Sequence, residues 1–323
     1  MWKKIGEISL RTGEIMEICM VKAPDESYER DIMSFLAHKK EIWLWHLNLG
    51  FRGELNELES RFYIGLLNGK LISNASTWEY GSIGIVGHLF TVNEHRGKGA
   101  CTALMKAQIQ DFRNREGKIL IGGFKPSSFP IAKSLGFKSI INGSEVMRYD
   151  LYPYFEKEYF QSKRTLARDS MWKDWPGVSL LFSAKEGCAL RSMKHKIFGP
   201  FDYEDYFLED MREQLKRLCT SKVLVTEKGS IAGYATLTLK SRFGDNSWLL
   251  DLFVHQDRIS HVGTMLKALR WPKGRVRCYI ETNCHEKRRA LLAQGFKDKA
   301  VLQKRVNGKP LKIIAMQLET ENS

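Results

Sequence analysis

The stretch that decides the fold is Leu89-Phe90-Thr91-Val92-Asn93-Glu94-His95-Arg96-Gly97-Lys98-Gly99-Ala100-Cys101-Thr102. In it, an apolar run leads into a charged turn with two glycines separated by a single lysine, and an amphipathic segment then begins at Ala100. Glycine has no Cβ, so the backbone of such a turn can approach a ligand closely, and the N–H groups at the start of a helix attract phosphate. The pattern therefore predicts a strand, an anion-binding turn and a helix, an arrangement typical of α/β proteins.

Three landmarks around this stretch recur once later in the chain, in the same order. Their offsets lie between 159 and 162 residues, and the pairs are Gly69 and Gly229, Arg96 and Arg258, and Phe137 and Phe296. A single match could arise by chance. Three matches in one order and at nearly one offset indicate two copies of one domain.

We therefore expect an α/β (α+β) protein with two tandem domains, each a mixed central sheet flanked by helices. The predicted N-terminal domain covers residues 1–151, a charged and aromatic linker covers 152–176, and the C-terminal domain covers 177–323. Within the first domain we predict strands over 15–22, 82–92 and 118–122, and helices over 27–39, 100–114 and 127–135.

Composition narrows the classes of function. Of the 323 residues, 43% are hydrophobic, which allows a large core, and 51 Lys and Arg against 37 Asp and Glu give a net charge of +14, which favours an anionic partner. No nucleic-acid motif, leader or long apolar run is visible, so we predict no nucleic-acid or membrane partner and a cytoplasmic location. Six scattered cysteines without zinc spacing predict free thiols and no metal site.

The segment Arg96-Gly97-Lys98-Gly99-Ala100-Cys101 resembles the signature of the GNAT acetyltransferase superfamily, Arg/Gln-x-x-Gly-x-Gly/Ala, which in that fold lies between the fourth strand and the third helix. Cys101 replaces the final Gly or Ala. The second copy has Ile259 and His261 where the first has Gly97 and Gly99. The resemblance implies two tandem GNAT-like domains, with the working site in the first and a degenerate second domain kept for structure and acceptor binding.

The resemblance also implies acetyl-CoA as the co-substrate, with no metal. The expected cofactor-binding residues are Leu89, Phe90, Thr91, Val92, Arg96, Gly97, Lys98, Gly99, Ala100, Cys101 and Thr102. Because the family generally transfers the acetyl group directly, we interpret Cys101 as a small packing residue and not as a nucleophile. The resemblance further implies an oxyanion-binding backbone N–H near Thr91 and Val92.

Amine acetylation needs a base, and two residues are candidates for it. We favour His88, upstream on the same strand, over Glu79, whose neighbours Trp78 and Tyr80 suggest that it could instead bind the acceptor. Many relatives use a tyrosine four residues before the Gly-Phe pair as the general acid, and that position is Ala132 here. Whether another hydroxyl or water replaces the tyrosine stays open.

The acidic and aromatic stretch over residues 201–210 bears on the acceptor. Asp202, Glu204 and Asp205, joined by Asp251, could form a groove for a cationic ligand, or the stretch could be a solvated helix face. A tandem pair with an acidic region resembles the self-resistance N-acetyltransferases of the zwittermicin and paenilamicin types. That resemblance implies a cationic amine-bearing small molecule or peptide antibiotic as acceptor.

Other functions stay open at this point. A protein or peptide acetyltransferase acting on lysine or the N-terminus would share the first-domain signature. A non-catalytic acyl-CoA sensor would explain the missing tyrosine. Mycothiol synthase is also a tandem GNAT protein, but it works from its C-terminal half, which is the degenerate half here. The oligomeric state, monomer or dimer, is likewise open.

Overall fold

Strand pairing divides the chain into two parts. The computed structural model describes residues 1–141, 144–162, 164–240, 247–306 and 308–320, and it contains two compact units, Met1–Phe155 and Glu156–Ser323. Each unit has one large mixed sheet on which helices pack.

The first unit contains an eight-stranded sheet in the order β1-β2-β3-β4-β5-β6-β8-β7. Its strands are β1 (Trp2–Ser9), β2 (Ile15–Lys22), β3 (Glu59–Leu67), β4 (Lys70–Tyr80), β5 (Ile83–Thr91), β6 (Ile119–Gly123), β7 (Lys138–Ser139) and β8 (Val146–Asp150). Its helices are α1 (Glu26–Phe35), α2 (Glu41–Phe51), α3 (Ala100–Asn114) and α4 (Phe129–Ser134). Strands β5 and β6 are parallel, whereas the other described neighbours in this sheet are antiparallel.

The second unit contains a seven-stranded sheet in the order β16-β17-β15-β14-β13-β12-β9 and a small β10-β11 hairpin. The strands are β9 (Thr165–Asp169), β10 (Leu190–Ser192), β11 (Ile197–Phe198), β12 (Cys219–Thr226), β13 (Ile231–Lys240), β14 (Ser247–Val254), β15 (Gly274–Glu281), β16 (Lys297–Val306) and β17 (Lys309–Thr320). The helices from the boundary onward are α5 (Phe155–Tyr159), α6 (Trp175–Ser183), α7 (Glu204–Leu215), α8 (Val262–Ala268) and α9 (His285–Ala293).

Both sheets follow one connectivity, which starts at β2 in the first unit and at β9 in the second. A first strand and two helices lead to three antiparallel strands. A helix then connects the third of these strands to a parallel neighbour, and a last helix leads to a closing antiparallel pair. The predicted fold class, a mixed central sheet flanked by helices in each of two tandem domains, is confirmed. Strand β1 is an addition at the edge of the first sheet.

The segment predicted as a linker, residues 152–176, largely belongs to the second unit. Strand β9 pairs antiparallel with β12, for example Ala167 with Leu224, and the side chain of Phe160 is buried. Lys163 lies outside the described residues. The connection between the two sheets is therefore shorter than predicted. Within the described ranges, no helix is both long and apolar enough to cross a membrane.

The prediction of six free cysteines is wrong for two of them. Cys188 follows α6 and Cys284 precedes α9, and the fold of the second unit joins them in a disulfide across 96 residues of sequence. Such a pair cannot be recognised from local spacing, because only the tertiary fold brings the two loops together. The other four cysteines are free thiols: Cys19, Cys101, Cys219 and Cys278.

Helix α2 is buried on nearly every side, and it brings a histidine into the core of the first unit. His46 is fully buried, with the rings of Trp43 and Trp78 centred 6.2 and 5.6 Å from its own. Burial disfavours the imidazolium and lowers the pKa of His46 to about 3. The folded protein therefore holds this imidazole in its neutral form.

This buried imidazole predicts a loss of stability in mild acid. In the unfolded chain His46 titrates near pH 6.5, so between pH 6.5 and pH 3 the unfolded state binds a proton that the folded state does not. At pH 5 this one group should lower the free energy of unfolding by about 2 kcal/mol relative to pH 8. Urea unfolding of wild type and His46→Phe at both pH values measures the difference.

At pH 8 His46 is neutral in both the folded and the unfolded state, so that measurement serves as the reference for the variant. The expected result is that the free energy of unfolding falls between pH 8 and pH 5, and that this fall is smaller in His46→Phe than in wild type by about 2 kcal/mol. An equal fall in both proteins would contradict the pKa assigned to His46.

Candidate functional site

Strands β5 and β6 run side by side for only a short distance. Their parallel pairing comprises Ile83 with Ile119, Gly84 with Leu120, and Ile85 with Ile121. Beyond Ile85, β5 continues to Thr91 paired with β4 alone. A strand edge without a neighbour presents backbone N–H and C=O groups, so this opening can hold an extended ligand by main-chain hydrogen bonds.

A β-bulge lies in β5 where it borders the opening. The pair Ser76–Gly87 is followed by the pair Asn74–Phe90, so β5 has one more residue than β4 between these pairs. His88 lies in the bulge with a φ of 51°, in the left-handed region that histidine tolerates better than most side chains. Bulges bend a strand and redirect its side chains, and this one sets the direction of His88.

The ring of His88 lies in an aromatic environment. The rings of Trp43 and Trp78 approach it edge-on, at centroid distances of 4.6 and 5.0 Å. Its Nε2 atom is buried and accepts or donates no hydrogen bond within the described part of the chain. Burial, and then the nearby charge of Lys39, hold the pKa of His88 well below its usual value, so the imidazole is neutral at physiological pH.

The glycine turn that follows β5 leads directly into α3. Gly97 and Gly99 have φ values of 75° and 98°, and Gly99 is the N-cap of α3. A Cβ built on either glycine would meet no atom within 4 Å, so both face open space. The first turn of α3 has no acidic residue. A helix N-terminus with an open glycine backbone is a site suited to phosphate.

Two arginines support this turn. Arg11, in the connection between β1 and β2, donates from its backbone N–H to the carbonyl of Lys98 at 3.1 Å and from its side chain to that of Gly97 at 3.3 Å. Arg96 donates from Nε to the carbonyl of Thr91 at 3.0 Å. Nothing in the sequence marks Arg11, because its support of the glycine turn depends on the extra strand β1.

The remaining predicted cofactor residues lie around the opening and the start of α3. Leu89 packs into the core, the Phe90 ring lies under the Arg96 guanidinium, and Ala100 is buried. The Val92 N–H, one of the oxyanion donors expected near Thr91 and Val92, donates to the Ile72 carbonyl at 3.0 Å. Thr102 lies in the first turn of α3.

Cys101 also lies in the first turn of α3. Burial raises the pKa of the Cys101 thiol to about 11, so it is protonated at neutral pH. A thiol in this state is a poor nucleophile. This environment agrees with the interpretation of Cys101 as a packing residue.

Glu79 is held in an ion-pair network at the end of β4. Its carboxylate is buried, pairs with both terminal nitrogens of Arg115, and lies 3.6 Å from Nε of Arg61. Its neighbour Trp78 is buried beside His88, whereas Tyr80 is exposed. The structure therefore places Trp78 at the bulge but directs Glu79 towards two guanidinium groups.

The other predicted acceptor residues lie in the second unit, where two of them accept hydrogen bonds from backbone N–H groups. Asp251 accepts hydrogen bonds from the Ser192 hydroxyl and from the backbone N–H groups of Met193 and Lys194 at 2.5 to 2.8 Å. Asp202 accepts from the N–H of Glu204 at 2.7 Å. Glu204 is buried and Asp205 is half-buried.

The equivalent opening in the second unit is filled by a side chain of the protein. Strands β14 and β15 also separate after three pairs, the last being Leu250 with Cys278. Beyond this point, buried Lys287 donates from Nζ to the Leu252 carbonyl at 2.8 Å. Burial lowers the pKa of Lys287.

The turn of the second unit is likewise occupied by its own chain. The His261 ring bonds the Thr165 hydroxyl at 2.8 Å, and the Arg258 guanidinium donates to the Phe160 carbonyl at 2.6 Å. These contacts involve Arg258 and His261, which match Arg96 and Gly99 in the repeat. The degeneracy of the second domain stays a prediction.

Two groups of side chains in the second unit have donor atoms spaced for a metal ion. One consists of Cys188, Glu281 and Cys284, and the other of Asp210, Glu213 and Cys219. In the first group the two sulfur atoms are bonded to each other. In the second group the Lys194 ammonium binds both carboxylates and supplies the positive charge.

Comparison with known proteins gives only distant similarities. No protein-family model matches the chain, and no curated protein matches it. The yncA protein of Salmonella typhimurium, solved with its cofactor acetyl-CoA, is 17% identical with a TM-score of 0.41, and the match covers 50% of this chain and 96% of that one.

Two further solved structures give similar values. A GNAT superfamily phosphinothricin acetyltransferase from Sinorhizobium meliloti is 14% identical over 48% of this chain and 88% of its own, with a TM-score of 0.37. A ribosomal-protein-alanine N-acetyltransferase from Brucella melitensis is 15% identical, with a TM-score of 0.35, and the match covers 48% of this chain and 99% of that one.

The open glycine turn predicts a selective effect of Gly99→Asp on the binding of CoA. The new carboxylate would lie at the N-terminus of α3 and repel a phosphate there, so we expect affinity for CoA to fall on the order of 100-fold. Isothermal titration calorimetry with CoA measures the change.

Gly81→Asp is the matched control, because Gly81 also has a positive φ and an open Cβ direction but precedes β5. It should bind CoA like the wild type. Retained affinity in Gly99→Asp, or an equal loss in Gly81→Asp, would contradict the assignment of the turn.

Proposed function

We propose that the first unit is an acetyl-CoA-dependent N-acetyltransferase that transfers the acetyl group directly to a primary amine in a ternary complex. The observation that carries this proposal is the opening between β5 and β6, which begins at Ile85 and is followed along the chain by an open glycine turn at the start of α3. One anionic ligand with an extended arm fits such a combination.

In this proposal, the pyrophosphate of acetyl-CoA binds the backbone N–H groups of the turn over residues 97–101. Its pantetheine arm lies along the free edge of β5, from which residues 86–91 provide about 20 Å of extended backbone. The thioester carbonyl then meets the bulge at His88. Main-chain hydrogen bonds would hold the arm in the manner of an added strand.

The reaction needs an uncharged amine, a stabilised oxyanion and a route for one proton. The amine nitrogen attacks the thioester carbon, the carbonyl oxygen becomes an oxyanion, and the C–S bond then breaks to release the CoA thiolate. Backbone N–H groups at the bulge would stabilise the oxyanion. The amine nitrogen loses one proton in forming the amide, and that proton ends on the thiolate or in solvent.

For the base we propose His88. It is neutral, its Nε2 forms no hydrogen bond within the described residues, and it lies in the bulge beside the proposed position of the thioester. Glu79 is the weaker candidate, since accepting a proton would disrupt its pairing with Arg115 and Arg61. Protonation of the leaving thiolate falls to water or to a hydroxyl, because Ala132 replaces the usual tyrosine and is itself buried.

For the acceptor we propose a cationic amine-bearing small molecule or peptide antibiotic, whose acetylation would inactivate it. The support is the acidic stretch of the second unit. Asp205 and Glu209 of this stretch are half-buried, whereas Asp202 and Asp251 accept hydrogen bonds from backbone N–H groups. A protein or peptide acetyltransferase and an acyl-CoA sensor are the competing functions.

The function is tested by incubating the full chain with acetyl-CoA and a panel of amines, followed by mass spectrometry. The panel contains polyamines, aminoglycosides, cationic peptide antibiotics and lysine peptides. We expect a gain of one acetyl group on a cationic antibiotic, and no gain with Gly99→Asp. Acetylation of lysine peptides alone would support the first competitor. Binding of acetyl-CoA without transfer to any amine would support the sensor.

The proposed base predicts a selective loss in His88→Asn. Asparagine tolerates the positive φ at this position, so the backbone is retained while the imidazole is removed. At pH 7.5 we expect kcat to fall on the order of 100-fold. Because the pKa of His88 is held well below 6.5, the decrease in wild-type rate that is due to its protonation should appear only below that pH.

His46→Phe serves as the control, since it alters the other buried histidine near Trp43 and Trp78 without touching the bulge. Its kcat should resemble that of the wild type. The measurement is steady-state release of CoA at several pH values. A His88→Asn variant with wild-type kcat would exclude His88 as the base.

A further inference from the structure

A buried side chain on β4 reaches across to the bulge. Asn74 is fully buried, and its Nδ2 donates to the His88 carbonyl at 2.9 Å and to the Ser76 hydroxyl at 3.0 Å. The bulge takes residues of β5 out of regular pairing with β4, and a buried carbonyl without a donor is costly. The amide of Asn74 supplies the donor that a regular strand would have supplied from its backbone.

We propose that Asn74 is a positioning residue that fixes the β5 bulge, and with it His88 and the adjacent backbone N–H groups, in the geometry that acetyl transfer requires. This inference rests on the proposed function. Asn74 lies on a strand outside the glycine signature, and neither its neighbours in sequence nor any spacing of polar residues marks it.

The chemistry at this position specifies an amide. Both hydrogen bonds of Asn74 use Nδ2 as donor. A carboxylate of the same shape would offer only acceptors and would repel the His88 carbonyl. A leucine would fill a similar volume but would leave that carbonyl without its donor. Neither replacement can keep the bulge in place through the same contacts.

A second buried amide acts on the neighbouring carbonyl of β4. Gln108 of α3 donates from Nε2 to the backbone carbonyl of Ser76 at 2.9 Å. Side-chain amides therefore bind one carbonyl on each strand beside the bulge, that of His88 on β5 and that of Ser76 on β4. The bulge is held by specific hydrogen bonds and not by apolar packing alone.

The hydrogen bonds of Asn74 separate this effect from the phosphate-binding turn. Asn74 contacts neither the glycine turn nor the start of α3 through any hydrogen bond in the described residues. Loss of the Asn74 amide should therefore displace the bulge while leaving the phosphate-binding backbone unchanged. A displacement of about 1 Å in a reacting group is enough to lower a rate on the order of 100-fold.

The test compares Asn74→Leu and Asn74→Asp with Thr77→Val. Thr77 is an equally buried residue on β4 that pairs with Val86 before the bulge, and its hydroxyl forms no hydrogen bond in the described residues, so valine removes none. For each protein we would measure kcat, affinity for CoA by calorimetry, and thermal stability. A further readout is the infrared carbonyl stretch of bound acetyl-CoA labelled with ¹³C at the thioester carbon, which reports polarisation by the bulge without turnover.

We expect both Asn74 variants to lose kcat on the order of 100-fold while affinity for CoA stays within about threefold of wild type. The carbonyl stretch should lie at lower frequency in wild type than in free acetyl-CoA, and should return towards the free value in the variants. Thr77→Val should resemble wild type in kcat, affinity for CoA and carbonyl frequency. If Asn74→Leu does not fold, Asn74→Asp carries the test, since it preserves the side-chain shape.

Several outcomes would overturn the inference. These are an unchanged kcat or carbonyl frequency in the Asn74 variants, a loss of kcat shared with Thr77→Val, or a loss of kcat that follows reduced affinity for CoA. A wild type that binds no acetyl-CoA would overturn the proposed function and the role of Asn74 together. If the wild type transfers acetyl groups and the Asn74 variants do so equally well, only the role of Asn74 is overturned.

Discussion

The arrangement of the first unit depends on where hydrogen bonding between β5 and β6 stops. Three parallel pairs hold the strands together, and the contact at the end of this pairing is unusually close, because a Cβ on Gly122 would lie only 2.6 Å from the Val86 carbonyl. Glycine at this position lets β6 approach β5 before the two strands diverge. The bulge at His88 lies in β5 beyond this point, and a bulge bends the strand that contains it. The edge of β5 that faces β6 is therefore left unpaired.

The second unit shows that this topology does not by itself make a ligand site. Its two parallel strands also separate after three pairs, yet Lys287 binds a backbone carbonyl inside the opening, and Phe160 and Thr165 contact its turn. A buried lysine amine is costly unless it is hydrogen-bonded, so this contact is specific. Within the described residues, the strands diverge in both units, whereas the two glycines that keep the turn open, Gly97 and Gly99, lie in the first unit.

Much of the fold could be predicted from the sequence, but the contacts that define the site could not. The bounds of β2 and α3 were predicted correctly, since both have a strong apolar pattern. Helix α2 was not located, because it is apolar on all sides and has no amphipathic period. The pairing of Glu79 with Arg115 spans 36 residues, and the bond from Asn74 to His88 depends on a bulge, so no local pattern indicates either contact.

Burial changes the protonation of ionisable groups within each unit, and in the first unit this bears on how an amine would become reactive. In the second unit, the acidic helix α7 directs Asp210 inwards, where Lys194 lowers its pKa against the effect of burial, so part of the acidic stretch serves the core and not a ligand. At the bulge of the first unit, burial and the charge of Lys39 hold His88 neutral. The same environment disfavours an ammonium ion, and an amine placed there would be shifted towards its uncharged form. That form is the nucleophile, so the site that keeps His88 neutral would also activate the acceptor.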